Sequence, residues 1–245
     1  MATPDRHAWT DRSRIVLTPV AAPAVLGWFA FAIAALLVGS HLAGWWGGEQ
    51  TLTYLAPFVL FLGAAQFLAA MWGFRAREPV ATAVHGIWGG LWLGMGLAYG
   101  LAALDLLTLT GLEMPLGFLM LGVGIITLGV VAATLFENLV LALLAGLAAV
   151  AAGIGGIGLM AETTAMVETG GWLLVIAAAA GWYFGTAILL AEISGVQRLP
   201  IGRYRMAADV PGEPTIEAVA YSTGMPYLEV TAAGDGGERR HEPAS

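Results

Sequence analysis

The chain has 245 residues, of which 58% are hydrophobic and only 11% charged. A soluble domain carries about 25% charge, so a water-facing globule is excluded. There is no cysteine, and all ten basic residues are arginine. That removes disulfides, thiolate metal sites, cysteine nucleophiles and every lysine Schiff base, including the retinal attachment of rhodopsins. The formal net charge of -7 says little about partners, because much of the acidity falls after Arg205.

Residues 1–22 are polar, carry Arg6, Arg12 and Arg14, and read as a cytoplasmic N-terminal segment. The first apolar run, Ala24 to Ala43, is long enough to span, since about 20 residues cross the hydrocarbon core. It is too long for the h-region of a cleaved signal peptide, and Trp45 and Trp46 follow it where small residues would be needed. Those tryptophans suit an interfacial belt.

Further runs extend from Thr53 to Phe74, Val80 to Leu104, Pro115 to Phe136, Leu139 to Met160 and Gly171 to Ile193. Only Glu137 and Asn138 divide the fourth from the fifth. Pro57 is placed near the start of the second helix rather than at a kink. Small residues four apart, such as Gly90 and Gly94, Gly96 and Gly100, and Gly181 and Gly185, favour close helix contact, with room for a narrow path as the alternative.

Arginine sets the orientation. The connectors after the first, third and fifth runs hold Glu49, Asp105, Glu113, Glu162 and Glu168 but no arginine. Arg75 and Arg77 follow the second run; Arg198, Arg203 and Arg205 follow the sixth. With six spans, every basic residue falls on one side, which the positive-inside rule makes cytoplasmic. The expected fold is therefore an all-α membrane protein. It is a six-transmembrane-helix bundle over residues 23–205, with both termini cytoplasmic and a disordered cytoplasmic tail over 206–245. The expected location is the cell inner (plasma) membrane.

No Asp, Glu or Arg lies mid-span, which argues against a classical ion pump. The polar groups inside are few: Gln66, His41 near the outer end, His85 near the inner end, and Thr127, Thr134 and Thr186, which are expected to bond back to their own helix. The two histidines should lie near opposite faces, so no shared metal or haem is expected. Glu192 is read as a structural partner of Arg75 or Arg198, with a guard at the inner mouth as the alternative. The aromatic candidates for a lining are Phe31, Phe61, Trp88, Trp92, Trp182 and Tyr183, against packing or lipid-facing roles for each. There is no P-loop, no HExxH and no nucleophile–base set, so nothing supports an enzyme, a cofactor or a nucleic-acid partner.

Four stretches resemble the acetate uptake transporter family (GPR1/FUN34/YaaH). Pro23-Ala24-Val25-Leu26-Gly27, with Phe31 and then Ser40-His41-Leu42, is similar to the family's Asn-Pro-Ala-Pro-Leu-Gly and Leu-His-Asn segments. Gly63-Ala64-Ala65-Gln66 is similar to its Gly-x-Ala-Gln, and Trp88-Gly89-Gly90-Leu91-Trp92 to its Tyr-Gly-x-Phe-Trp. Leu199-Pro200-Ile201-Gly202 is similar to its terminal Leu-Pro-x-Gly. Ala22, Val25, Trp88, Gly73 and Ile188 depart from the family's usual Asn, Pro, Tyr, Glu and Glu.

The resemblance implies a homo-oligomer, a hexamer in this family, with one solute path per protomer for acetate, a related short monocarboxylate or succinate, proton-coupled by symport or simply channelled. It implies that Phe31 and Trp88 stand at an aromatic constriction beside Trp92, that Gln66 and Tyr183 supply polar contacts, and that Pro23, Leu26, Gly27 and His41 hold family-motif positions. The alternatives are a channel for ammonia or another small neutral solute, and a non-transporting scaffold or sensor.

Overall fold

Bilayer thickness and helix rise together set the lengths of the elements. The structure is a computed structural model, and it describes residues 21–136 and 138–202. Among the described residues it holds six helices: α1 Pro23–Leu42, α2 Thr51–Ala76, α3 Pro79–Ala103, α4 Leu109–Thr134, α5 Leu139–Met160 and α6 Thr164–Ser194. The shortest has 20 residues and the longest 31. At 1.5 Å per residue these reach about 30 to 46 Å, enough for every one to cross a membrane. All six are apolar enough to do so, and the protein is a multi-pass membrane protein. The N-terminal segment and the tail lie outside the described residues.

Two helices start more than a turn before their apolar runs. α4 begins at Leu109 rather than Pro115, and α6 at Thr164 rather than Gly171. Glu113 and Glu168 therefore sit on helix ends, not in connectors. The reason is local: the Thr108 hydroxyl accepts from Gly111 N at 3.2 Å and caps α4, and a capped helix continues past the apolar layer. Pro57 also lies deeper than expected, inside α2 and six residues past Thr51.

The helices form a ring in chain order, each against the next, with α6 returning to α1 and α1 also touching α3. Glycines set the close approaches. A methyl on Gly63 would stand 2.7 Å from Leu93 N, on Gly89 2.8 Å from Phe67 N, and on Gly96 2.7 Å from Leu60 N. The α2 and α3 backbones thus touch along three turns. Gly117 and Gly156 oppose each other between α4 and α5, and Gly155 and Gly170 between α5 and α6. Such contact replaces the hydrophobic drive that lipid cannot supply. The α3–α4 seam is sparse by comparison.

The α4–α5 turn is closed from a distance. Asn138 Oδ1 accepts from Leu141 N at 3.1 Å. Gly202 O and Ile201 O accept from Leu139 N and Val140 N, both at 3.1 Å. The Leu199–Gly202 segment thus satisfies two of the free amides that every helix start leaves.

Candidate functional site

Residues three and four apart share a helix face. On α3 that places His85, Trp88, Trp92, Met95 and Tyr99 in one inward column, all buried. Opposite them α1 presents Gly27, Trp28 and Phe31. The Phe31 and Trp88 rings meet edge to face at 5.1 Å, and Trp88 and Trp92 lie 5.4 Å apart. Trp28 packs edge-on to Phe31 at 5.9 Å and to Phe184 of α6 at 5.4 Å. Gly181 leaves the space that the Phe31 ring fills, since a methyl there would lie 3.0 Å from Phe31 Cδ1. Phe31, Trp88 and Trp92 are each 1% exposed, so together they seal the interior.

Trp88 is tethered. Its indole N–H donates to Thr127 Oγ1 at 3.0 Å across the α3–α4 seam. Thr127 in turn donates to Val123 O at 2.7 Å, the back-bond typical of threonine in a membrane helix. Thr134 and Thr186 make the same bond, to Val130 O and Trp182 O.

One turn inward from Trp88 lies a polar pair. Gln66 of α2 and His85 of α3 meet at 3.2 Å between Nε2 and Nδ1, and neither side chain is exposed at all. Trp28 stacks edge-on to the imidazole at 4.8 Å, and the ring lies over Gly27, where a Cβ would collide with it. Gln66 Oε1, His85 Nε2 and Trp92 Nε1 have no hydrogen-bond partner. Buried polar atoms are nearly always paired, and each exception calls for a reason.

About 10 Å outward from Trp92, by helix rise, Tyr99 enters a vestibule of about 270 Å³ at the acidic end of the bundle. His41, Thr51 and Glu113 share its wall. His41 Nδ1 lies 3.3 Å from Trp46 O. At the arginine-bearing end, Pro23 occupies the first turn of α1 and Leu26 faces outward. There Glu78 is held above the usual carboxylate range, first by partial burial and second by the charge of Glu192.

The fold thus brings Phe31, Gln66, Trp88 and Trp92 together and leaves Tyr183 out. The Tyr183 hydroxyl donates to Pro200 O at 2.8 Å, which fastens the Leu199–Gly202 segment against α6. That bond takes the hydroxyl away from the interior column. Phe61 and Trp182 are 72% and 61% exposed and lie on the outer surface of the protomer, away from the column. Sequence reasoning missed His85 as a member of the column. The signal was its spacing, three residues before Trp88 and seven before Trp92.

The fold and the site define a polytopic six-helix membrane protein, sealed inside by aromatic rings and holding hydrogen-bonding groups in reserve. A family model described as the GPR1/FUN34/yaaH family matches residues 10–201. That is most of the chain, and the protein belongs to this family. Among solved structures it is similar to the bacterial acetate channel SatP, with a TM-score of 0.68 and 24% identity over 75% of this chain and 100% of that one. At that identity the likeness shows the fold. No curated protein sequence matches the chain significantly.

Proposed function

We propose that this protein is a transporter or channel that passes acetate or a related short carboxylic acid, succinate included, unchanged across the cell inner membrane. One observation carries the reading: an aromatic seal of Phe31, Trp88 and Trp92 stands directly beside unpartnered polar groups in an otherwise apolar bundle. A static core has no use for that combination, whereas a gated path needs both a barrier and a polar contact. Family membership and the fold shared with a bacterial acetate channel support it. In this reading Trp88, Trp92 and Phe31 form the gate, and Gln66 supplies the polar contact beside it.

The arginine-bearing end faces the cytoplasm. Assembly as a homo-oligomer, a hexamer by resemblance, belongs to the same proposal. Gly90, Gly122, Gly129, Gly146 and Gly153 meet nothing within the protomer, and small residues on an outer face suit contact with another helix.

Labelled acetate uptake into proteoliposomes tests the function. Saturable uptake above empty vesicles is expected. Uptake no faster than through lipid alone, with SatP active in parallel, would end this reading, and a solute panel would then separate a neutral-solute channel from a silent scaffold.

A further inference from the structure

We propose that Trp45, Trp172 and Glu168 form a binding site for the primary ammonium headgroup of a phospholipid, of the phosphatidylethanolamine kind, at the acidic end of the α1–α6 seam. The site lies outside the aromatic column and does not depend on what the bundle passes.

A turn and a close approach build it. After α1, Gly44 adopts φ 76°, and Trp45 N donates to Ser40 O at 3.0 Å, the bond that closes a glycine-ended helix. That turn folds Trp45 back against α6. The two helices are already close there, since a methyl on Gly39 would stand 2.9 Å from Gly171 O. The Trp45 and Trp172 rings meet at 5.0 Å with their planes 64° apart. They form an open corner, not a closed stack, and both stay about half exposed. Glu168 lies one turn before Trp172 on the same face of α6. Its Oε1 is 3.8 Å from where a Gly44 Cβ would stand, which sets the carboxylate beside the turn that carries Trp45. Trp46 takes no part. Its indole N–H donates to Ser40 Oγ at 2.9 Å, and its ring lies against His41.

Indole faces attract a cation, and a carboxylate accepts from the N–H groups of an ammonium. The chain brings no such cation to this end. It has no lysine, and the described arginines, Arg75, Arg77 and Arg198, lie at the other end. Magnitude selects the source. An exposed cation–π contact and an exposed ion pair are both weak, and together they would hold a dissolved amine no better than in the millimolar range. A lipid is different, because its acyl chains keep the headgroup at the site at high effective concentration. The depth suits a lipid as well. The apolar run of α6 starts at Gly171, so Trp172 stands at the edge of the hydrocarbon layer. Glu168, about 6 Å further out by helix rise, stands among the headgroups. An anionic lipid without an ammonium would meet Glu168 as like charge.

Native mass spectrometry of the full chain, released from micelles holding equal amounts of phosphatidylethanolamine and phosphatidylglycerol, tests the proposal. Phosphatidylethanolamine should be retained about tenfold over phosphatidylglycerol, the combined scale of one such cation–π contact and one such ion pair. Glu168→Gln and Trp172→Leu should each lower that ratio about threefold, and the double variant should bring it near parity. Equal retention of the two lipids by the unaltered protein, or an unchanged ratio in Glu168→Gln, overturns the proposal. Loss of both lipids alike in Trp172→Leu would make the tryptophans an interfacial anchor only, and overturns it too. Displacement of the lipid by millimolar free ethanolamine would place the ligand in water and overturn the lipid assignment. None of these outcomes bears on acetate uptake, which is judged by its own assay.

Discussion

The two flanks of α3 are built in opposite ways. Toward α2, Gly63, Gly89 and Gly96 bring backbone against backbone over three turns. Toward α4, contacts are few, and one tryptophan–threonine hydrogen bond bridges the gap. The first flank is a wall, because nothing there can move without separating two main chains. The second is a seam held by side chains, which change rotamer far more easily than helices part. The Trp88 ring hangs from the seam while the Gln66–His85 pair is set in the wall. In the proposed reading, barrier and polar contact therefore rest on parts of different stiffness, which would let the ring move while the Gln66–His85 geometry stays fixed.

Substitutions on the two flanks should differ accordingly. The largest effect is expected for Gly89→Leu, which forces a side chain where a single methyl already lies 2.8 Å from Phe67 N. It should cost at least about 3 kcal/mol, the upper range for overpacking, read as loss of the folded fraction in detergent. Gly90→Leu, one position on and facing open space, should leave the protomer folded. If both fold equally well, the wall is not a wall.

Next comes Trp88→Ala. It should raise acetate flux severalfold or relax selectivity, together with a clear drop in melting temperature from the cavity, about 3–5 kcal/mol by analogy with buried aromatic truncations. A folded variant with unchanged transport would remove Trp88 from the gate. Thr127→Val should be milder. It keeps the shape of the seam but leaves the Trp88 N–H without an acceptor, at about 1–3 kcal/mol. Chemical unfolding should show the loss, and flux should shift in the same direction as in Trp88→Ala. An effect on stability alone would make the tether structural.

The smallest effect is expected at Glu78, between the wall helices. Its carboxyl is raised by partial burial and by Glu192, so the folded state holds that proton more tightly than the unfolded chain. The associated stability is present below the ordinary carboxylate range and disappears as pH rises through the raised value. Glu78→Gln should therefore raise the melting temperature slightly at neutral pH and leave it unchanged at pH 3. An equal shift at both pH values would contradict the assigned cause.

Much of this was legible in the residues. Run length and arginine placement gave the number of spans, because the bilayer punishes charge and rewards length in a simple way. The outer ends of α4 and α6 were not legible. Hydropathy reports the lipid layer, whereas the turn around Thr110 is capped by the Thr108 hydroxyl and the turn at Thr164 is held by main-chain bonds from Met166 N and Val167 N to Thr163 O. Within the site, Phe31, Gln66, Trp88 and Trp92 were singled out from motif positions, and the fold gathers them. His85 was passed over because a helix apolar on every side has no polar face to reveal which stripe points inward. Tyr183 was misjudged for a related reason. Its hydroxyl serves the Leu199–Gly202 segment, 17 residues further on, and no periodicity within α6 encodes so distant a partner.

That segment has a consequence for biosynthesis. Leu199–Gly202 follows α6 in the chain and caps the first turn of α5. As the protein is made, α5 enters the bilayer with those two amides open, and they stay open until the residues after the last helix have been translated. Gly202, at φ 67°, turns the backbone against Leu139 at a spot that no Cβ fits. The order of synthesis thus places this latch after the last helix, and a nascent chain halted before it would hold six helices around an unfinished turn.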